Sequence, residues 1–166
     1  MKVGLIMGSD SDFPVMKKAL EVFKEFGVEC DVLLASAHRT PAVVREFVTT
    51  AEERGLTCIV AGAGAAAHLP GVIASYTTLP VIGVPIDATS LKGMDALLAI
   101  VQMPSGMPVA TVAINGAKNA ALLAIQICAV SDAALAAKYK AYRQDMASQV
   151  IEKNTAIQLK VKEILG

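Results

Sequence analysis

VGLIMGSDSDFPVMKKALEVFKEFGVECDVLLASAHRTP, residues 3–41, sets out the plan that the rest of the chain repeats. Val3 to Met7 is a short apolar run closed by Gly8, which reads as a buried strand. Ser11 or Asp12 can cap a helix whose inner face is Phe13, Met16, Leu20, Phe23 and Phe26, a 3.6-residue spacing that stops at Gly27. Val28 to Ala35 forms a second strand. Thr40 then caps a helix with Pro41 in its first position, where a missing N–H costs nothing. That helix buries Val44, Phe47, Val48 and Ala51 and ends at Gly55.

The alternation continues. Thr57 to Ala61 reads as a third strand, followed by a small-residue turn and a short helix from about Ala65 to Tyr76. Val81 to Val84 and Val109 to Ile114 are the fourth and fifth strands, followed by helices over 93–102 and 119–130. Repeated strand–helix units imply a parallel sheet covered on both faces. The expected fold is α/β: a flavodoxin-like three-layer α/β/α sandwich with strand order 2-1-3-4-5. Residues 131–154 read as one long helix with Leu135, Tyr139, Tyr142, Met146 and Val150 along one side, a stripe that must be buried somewhere. The chain is expected to be a single domain, 1–166, with sheet and loops in 1–130 and a helical extension in 131–166.

Composition narrows the function classes. Of 166 residues, 54% are hydrophobic and only 18% charged, against roughly 25% charged in ordinary domains. Either a membrane or other copies of the chain must cover that surface. The longest uncharged stretch, Gly55 to Ile86, is broken by four glycines and three prolines, so it cannot supply the roughly 20 apolar residues of a spanning helix. Self-association is the better account, and no signal peptide is expected. Charges balance at 15 against 15 with no basic run, which argues against nucleic acid. Cys30, Cys58 and Cys128 lie in separate apolar runs and read as buried free thiols. Two histidines without metal-ligand spacing make a zinc site improbable.

Ligands of such sheets bind beyond the carboxyl ends of the strands. After the first strand, Ser9 and Ser11, with the open N–H groups of a helix start, form a phosphate cradle, and Asp12 can accept from ribose hydroxyls. Helix capping explains one serine and one aspartate as readily. After the second strand comes Ser36-Ala37-His38-Arg39, poorly suited to a core. Arg39 can grip a phosphate with paired charge-assisted bonds, and His38 can exchange a proton near neutral pH. His68 is the only polar side chain in the loop after the third strand; packing and substrate contact are equally good explanations for it. A phospho-acceptor receiver domain needs an aspartate where this chain has Ala61-Gly62. A flavin-binding module is disfavoured by an aromatic content of 4%.

Taken together, GSDSDF at 8–13, SAHRTP at 36–41, AGAGAAAHLPG at 61–71, PVIGVPI at 80–86, VQMPSGMPVATVAI at 101–114 and NAALLA at 119–124 closely resemble the class I N5-carboxyaminoimidazole ribonucleotide mutases. The resemblance implies transfer of a carboxylate from the exocyclic nitrogen of a ribonucleotide to ring carbon C4, in purine biosynthesis. It also implies no metal, ATP or biotin, a cytoplasmic homo-octamer, and no membrane partner. By motif position it makes His38 the catalytic acid and base, Ser9 and Arg39 phosphate ligands and Asp12 the ribose ligand, with Ser11, Ser36 and His68 as second-tier candidates. The alternative is the class II carboxylase, which uses free CO2 on the same fold; the HLPG string favours class I. The chain departs from the usual GAGGAAHLPG at Ala65, where alanine is strained if φ is positive, and its segment 114–119 is shorter than in many relatives.

Overall fold

The computed structural model describes residues 1–166 and contains the expected sheet. Five parallel strands, β1 (Lys2–Met7), β2 (Glu29–Leu34), β3 (Leu56–Gly64), β4 (Val81–Ile86) and β5 (Ala110–Thr111), lie in the order β2-β1-β3-β4-β5. Helices α1 (Phe13–Phe26), α2 (Pro41–Thr49), α3 (Leu69–Ala74), α4 (Met94–Val101) and α5 (Ala117–Ala129) follow the strands in turn. One face of the sheet packs on α2, α3 and α4 through Ile6, Val44, Val48, Ile59, Ile73 and Ile100. Gly62 faces α1 on the other side: a Cβ there would meet Met16 Sδ at 2.5 Å. The central strands are buried on both faces, which is why they read as continuous apolar runs rather than alternating ones.

Several local expectations are corrected. The first helix turns its face by part of a residue step, so Met16, Ala19, Val22, Phe23 and Phe26 are buried while Phe13 is 47% exposed and Leu20 half-buried. Asp12 stands at the N-cap of α1, as one of the two expected residues, but its side chain makes no cap bond to that helix. Ser9 instead caps a single 3-10 turn over Asp10–Asp12 that leads into it. Thr40 makes no cap bond either; its hydroxyl bridges the backbone of Ser36. The small-residue turn begins later than expected, because β3 runs on through Gly64. Glycine and alanine there leave room for a close neighbour: a Cβ on Gly64 would lie 2.6 Å from that of Ala88.

β5 is shorter than expected. The chain stays beside β4, with Val112 N–H on Gly83 O and Asn115 N–H on Pro85 O. Pro85 has no N–H to return, which interrupts the ladder.

Two compact units partition the chain, Met1–Cys128 and Ala129–Gly166. The second consists of α6 (Ala133–Leu165), capped by Asp132, whose side chain accepts from Leu135 N at 3.0 Å. This helix extends well beyond residue 154. Of its expected stripe only Leu135 is buried; Tyr139 and Tyr142 are half-buried, and Met146 and Val150 are exposed. No helix is long and apolar enough to cross a membrane.

Candidate active site

The loops at the carboxyl ends of β1, β2, β3 and β4 enclose a cleft of about 420 Å³, within the range of small-molecule sites. It lies where strand order reverses around β1, the position such sheets use for ligands. Ser9, Ser11, Asp12, Ser36, His38, Arg39 and His68 all line it, so every site residue expected from the sequence comes together in one place.

The first loop is built around its own carboxylates. Asp12 is 4% exposed. Its Oδ2 accepts from Gly8 N at 3.1 Å and Ser9 N at 3.0 Å, folding the loop back over the end of β1. Burial pushes the Asp12 carboxyl above its ordinary range, opposed by the hydrogen bonds from Ser9 and Gly8. Ser11 Oγ donates to Ser9 Oγ at 2.9 Å, setting the two hydroxyls side by side. One participant was missed from sequence. Asp10 Oδ1 accepts from Ser11 N and Ser9 Oγ, both at 3.1 Å, so a carboxylate already occupies the donors of this turn. Its position between the two serines was a signal, because a short acceptor in a helix-entry turn bonds the nearest free N–H.

The second loop is organised by Ser36. Its Oγ accepts from His38 N at 3.3 Å and Arg39 N at 3.2 Å, and its backbone is bridged by Thr40. Ser36 therefore has a local task in presenting the two residues that follow it. Both are exposed, and Arg39 pairs with no carboxylate, leaving its guanidinium available to an anion.

The third loop carries His68 at the entrance to α3, anchored by buried Ala67 and Leu69 on either side. His68 Nδ1 lies 2.7 Å from His38 Nε2, with the rings edge to face at 90°. The expectation about Ala65 is met: its φ is +54°, and that of Ala67 is +46°. Apolar small side chains, Ala63, Ala65, Ala67 and Ala88, form the remaining wall.

No group of three or more His, Cys, Asp or Glu side chains is arranged to hold a metal ion. The thiols lie away from the cleft. Burial pushes Cys30 up to about 12, and Cys58, beside Cys128, is also pushed up. Neither serves as a nucleophile near neutral pH.

Comparison with known proteins points the same way. The chain matches the AIR carboxylase family over residues 2–149. It is 53% identical to the N5-carboxyaminoimidazole ribonucleotide mutase of Thermotoga maritima across 99% of this chain and 97% of that one. It is 58% identical to the protein of the same name from Pyrococcus horikoshii, over 91% and 85% of the two chains. The crystal structure of Treponema denticola PurE superposes with a TM-score of 0.83 at 30% identity, covering 93% of this chain and 96% of that one. With the sheet order, the cleft and these relatives in agreement along nearly its whole length, the chain belongs to the AIR carboxylase family.

Proposed function

We propose that this chain converts N5-carboxyaminoimidazole ribonucleotide into 4-carboxy-5-aminoimidazole ribonucleotide, a step of purine biosynthesis, in the cytoplasm and without metal or organic cofactor. The mutases named above support the reaction. The observation that carries the reading is the meeting, in one cleft, of a hydroxyl-lined anion cradle, an unpaired arginine and a histidine.

Ser9 and Arg39 hold the phosphate, with the Ser11 hydroxyl beside them, and Asp12, which its loop turns toward the cleft, accepts from the ribose hydroxyls. Asp10 must swing off Ser9 and Ser11 as the phosphate arrives. Ser36 holds the loop that carries His38 and Arg39. Holding the distant phosphate applies binding energy to positioning the ring.

The chemistry then needs one mobile proton. The bond between the exocyclic nitrogen and the carboxylate breaks, releasing CO2, and the nitrogen takes a proton from His38. The electron-rich C4 attacks the same CO2, and His38 recovers a proton from C4, so atoms and charge balance without a co-reactant. A small neutral molecule is retained only if water and exit paths are excluded, and the alanine wall offers it no polar competitor.

Self-association suits the surface. On the outer strand β2, Val32 is 49% and Leu34 55% exposed, and on α4 Met94, Leu98 and Val101 are similarly open. Eight copies is the assembly we propose, and light scattering that returns a single-chain mass overturns it. For the reaction, purified protein is given either the carboxyamino nucleotide or aminoimidazole ribonucleotide with bicarbonate. Turnover of the first, with the second much slower, supports the mutase. Preference for the second makes the chain a CO2-using carboxylase, and turnover of neither overturns the enzymatic reading.

A further inference from the structure

Both histidines of the chain meet in the cleft, and the geometry of their contact decides which nitrogen of His38 is free to work. At 2.7 Å, two facing lone pairs repel and two facing N–H groups clash, so a single proton lies between His38 Nε2 and His68 Nδ1. His38 must be an imidazolium to act as an acid, and an imidazolium carries hydrogen on both nitrogens. Its Nε2–H then donates to His68 Nδ1, and His68 is in the tautomer with its own hydrogen on Nε2. If the proton that leaves were the one on Nε2, this hydrogen bond would be broken in every turnover. If it is the one on Nδ1, the bond persists throughout.

Other features of the cleft agree with a fixed pair. Asp12 and Arg39 are the other charged side chains lining it. Asp12 is turned onto the N–H groups of Gly8 and Ser9, so His68 is the side chain that holds the His38 ring. His68 itself is set by its backbone: the buried Ala67 and Leu69 flank it, and Ala67 N–H closes the turn onto Gly64 O at 3.0 Å. An acid–base histidine oriented through its second nitrogen by a fixed acceptor is a recurring arrangement, in which the acceptor sets tautomer and ring direction.

We propose that His68 is a positioning residue: it accepts from His38 Nε2–H, fixes that ring, and leaves Nδ1 as the nitrogen that gives a proton to the substrate nitrogen and takes one from C4. The inference rests on the mutase reading and adds which atom does the work.

Two measurements test it. Because the chain has two histidines, magic-angle-spinning NMR of protein labelled with 15N in histidine resolves the pair directly. A coupling between one nitrogen of each ring, with His68 Nδ1 resonating as an unprotonated acceptor, is expected. Absence of that coupling, or a protonated His68 Nδ1, overturns the proposal. In the second, His68→Leu is expected to lower kcat by about 10- to 100-fold with KM changed by less than about threefold, the scale of losing an orienting partner. His68→Gln, whose amide oxygen can accept the same bond, should recover most of the loss. Equal impairment of the two variants, or an effect on KM alone, overturns it. The two readings fail separately: the NMR signature stands or falls in the resting enzyme, whereas loss of the mutase reading appears as no turnover by the unaltered protein.

Discussion

Replacing Ala65 by glycine should stabilise this protein, although glycine usually does the opposite. Ala65 has φ +54° on an exposed loop, where its methyl group packs on little. The left-handed conformation costs an L-residue about 1–2 kcal/mol, a penalty glycine escapes. Against that, glycine makes the unfolded chain freer by about 0.4–1 kcal/mol. The difference favours Ala65→Gly by about 0.5–1 kcal/mol, and at about 2–4 °C per kcal/mol for a chain of this size Tm should rise by about 1–4 °C. Ala67 provides the control. Its φ is +46°, but its methyl is 4% exposed and sits in the main core cluster. Removing that methyl forfeits about 0.8 kcal/mol of burial, so Ala67→Gly should come out near neutral. Calorimetry of both variants at one fixed protein concentration, since assembly shifts Tm, reads the contrast. A lower Tm for Ala65→Gly, or an equal gain for both, would refute the strain argument.

Three further expectations follow from the same geometry. Asp12 has a carboxyl raised by burial, so its charged form costs the fold stability as pH rises from the ordinary carboxylate range through the raised value. Asp12→Asn can still accept from Gly8 and Ser9; its Tm advantage over the unaltered chain should therefore grow between pH 4 and pH 7 while nucleotide affinity falls, and a constant difference across that range contradicts the assignment. Gly62→Ala places a methyl 2.5 Å from the sulfur of fully buried Met16 and 3.1 Å from Ile86, so urea unfolding should show a loss of about 1–3 kcal/mol, and no loss means α1 does not pack there. Arg39→Ala should weaken nucleotide binding by about 10- to 100-fold in titration calorimetry, as expected for a charge-assisted hydrogen bond, with the fold unaffected; unchanged affinity removes Arg39 from the phosphate site.

The sheet and the cleft were legible in the sequence because both depend on local signals repeated at regular intervals. Apolar runs mark β1, β3 and β4, with Gly8 closing the first, and strand ends mark the loops where Ser9, Asp12, His38 and Arg39 belong. What escaped depends on contacts distant in sequence or on atoms that compete locally. The His38–His68 bond joins residues 30 positions apart, and nothing in either motif announces it. The shortness of β5 turns on the missing N–H of Pro85 in the neighbouring strand. The cap bond expected of Ser11 or Asp12 is made one turn earlier by Ser9, on the 3-10 turn that leads into α1, and the Asp12 side chain is used instead to tie down Gly8 and Ser9. The full reach of α6 was missed although Ile157, Val161 and Ile164 continue a helical spacing beyond Val150, a signal the sequence carried as far as Leu165.

The central claim is that one imidazole, that of His38, moves the proton on which both halves of the carboxylate transfer depend. His38→Asn tests it most directly, with nucleotide affinity by titration calorimetry and turnover of the carboxyamino substrate measured on the same preparation. The account predicts affinity within about threefold of the unaltered protein and kcat lower by about 10²-fold or more, the range for losing a general acid–base group. Turnover within a few-fold of the unaltered protein, with affinity intact, would contradict it.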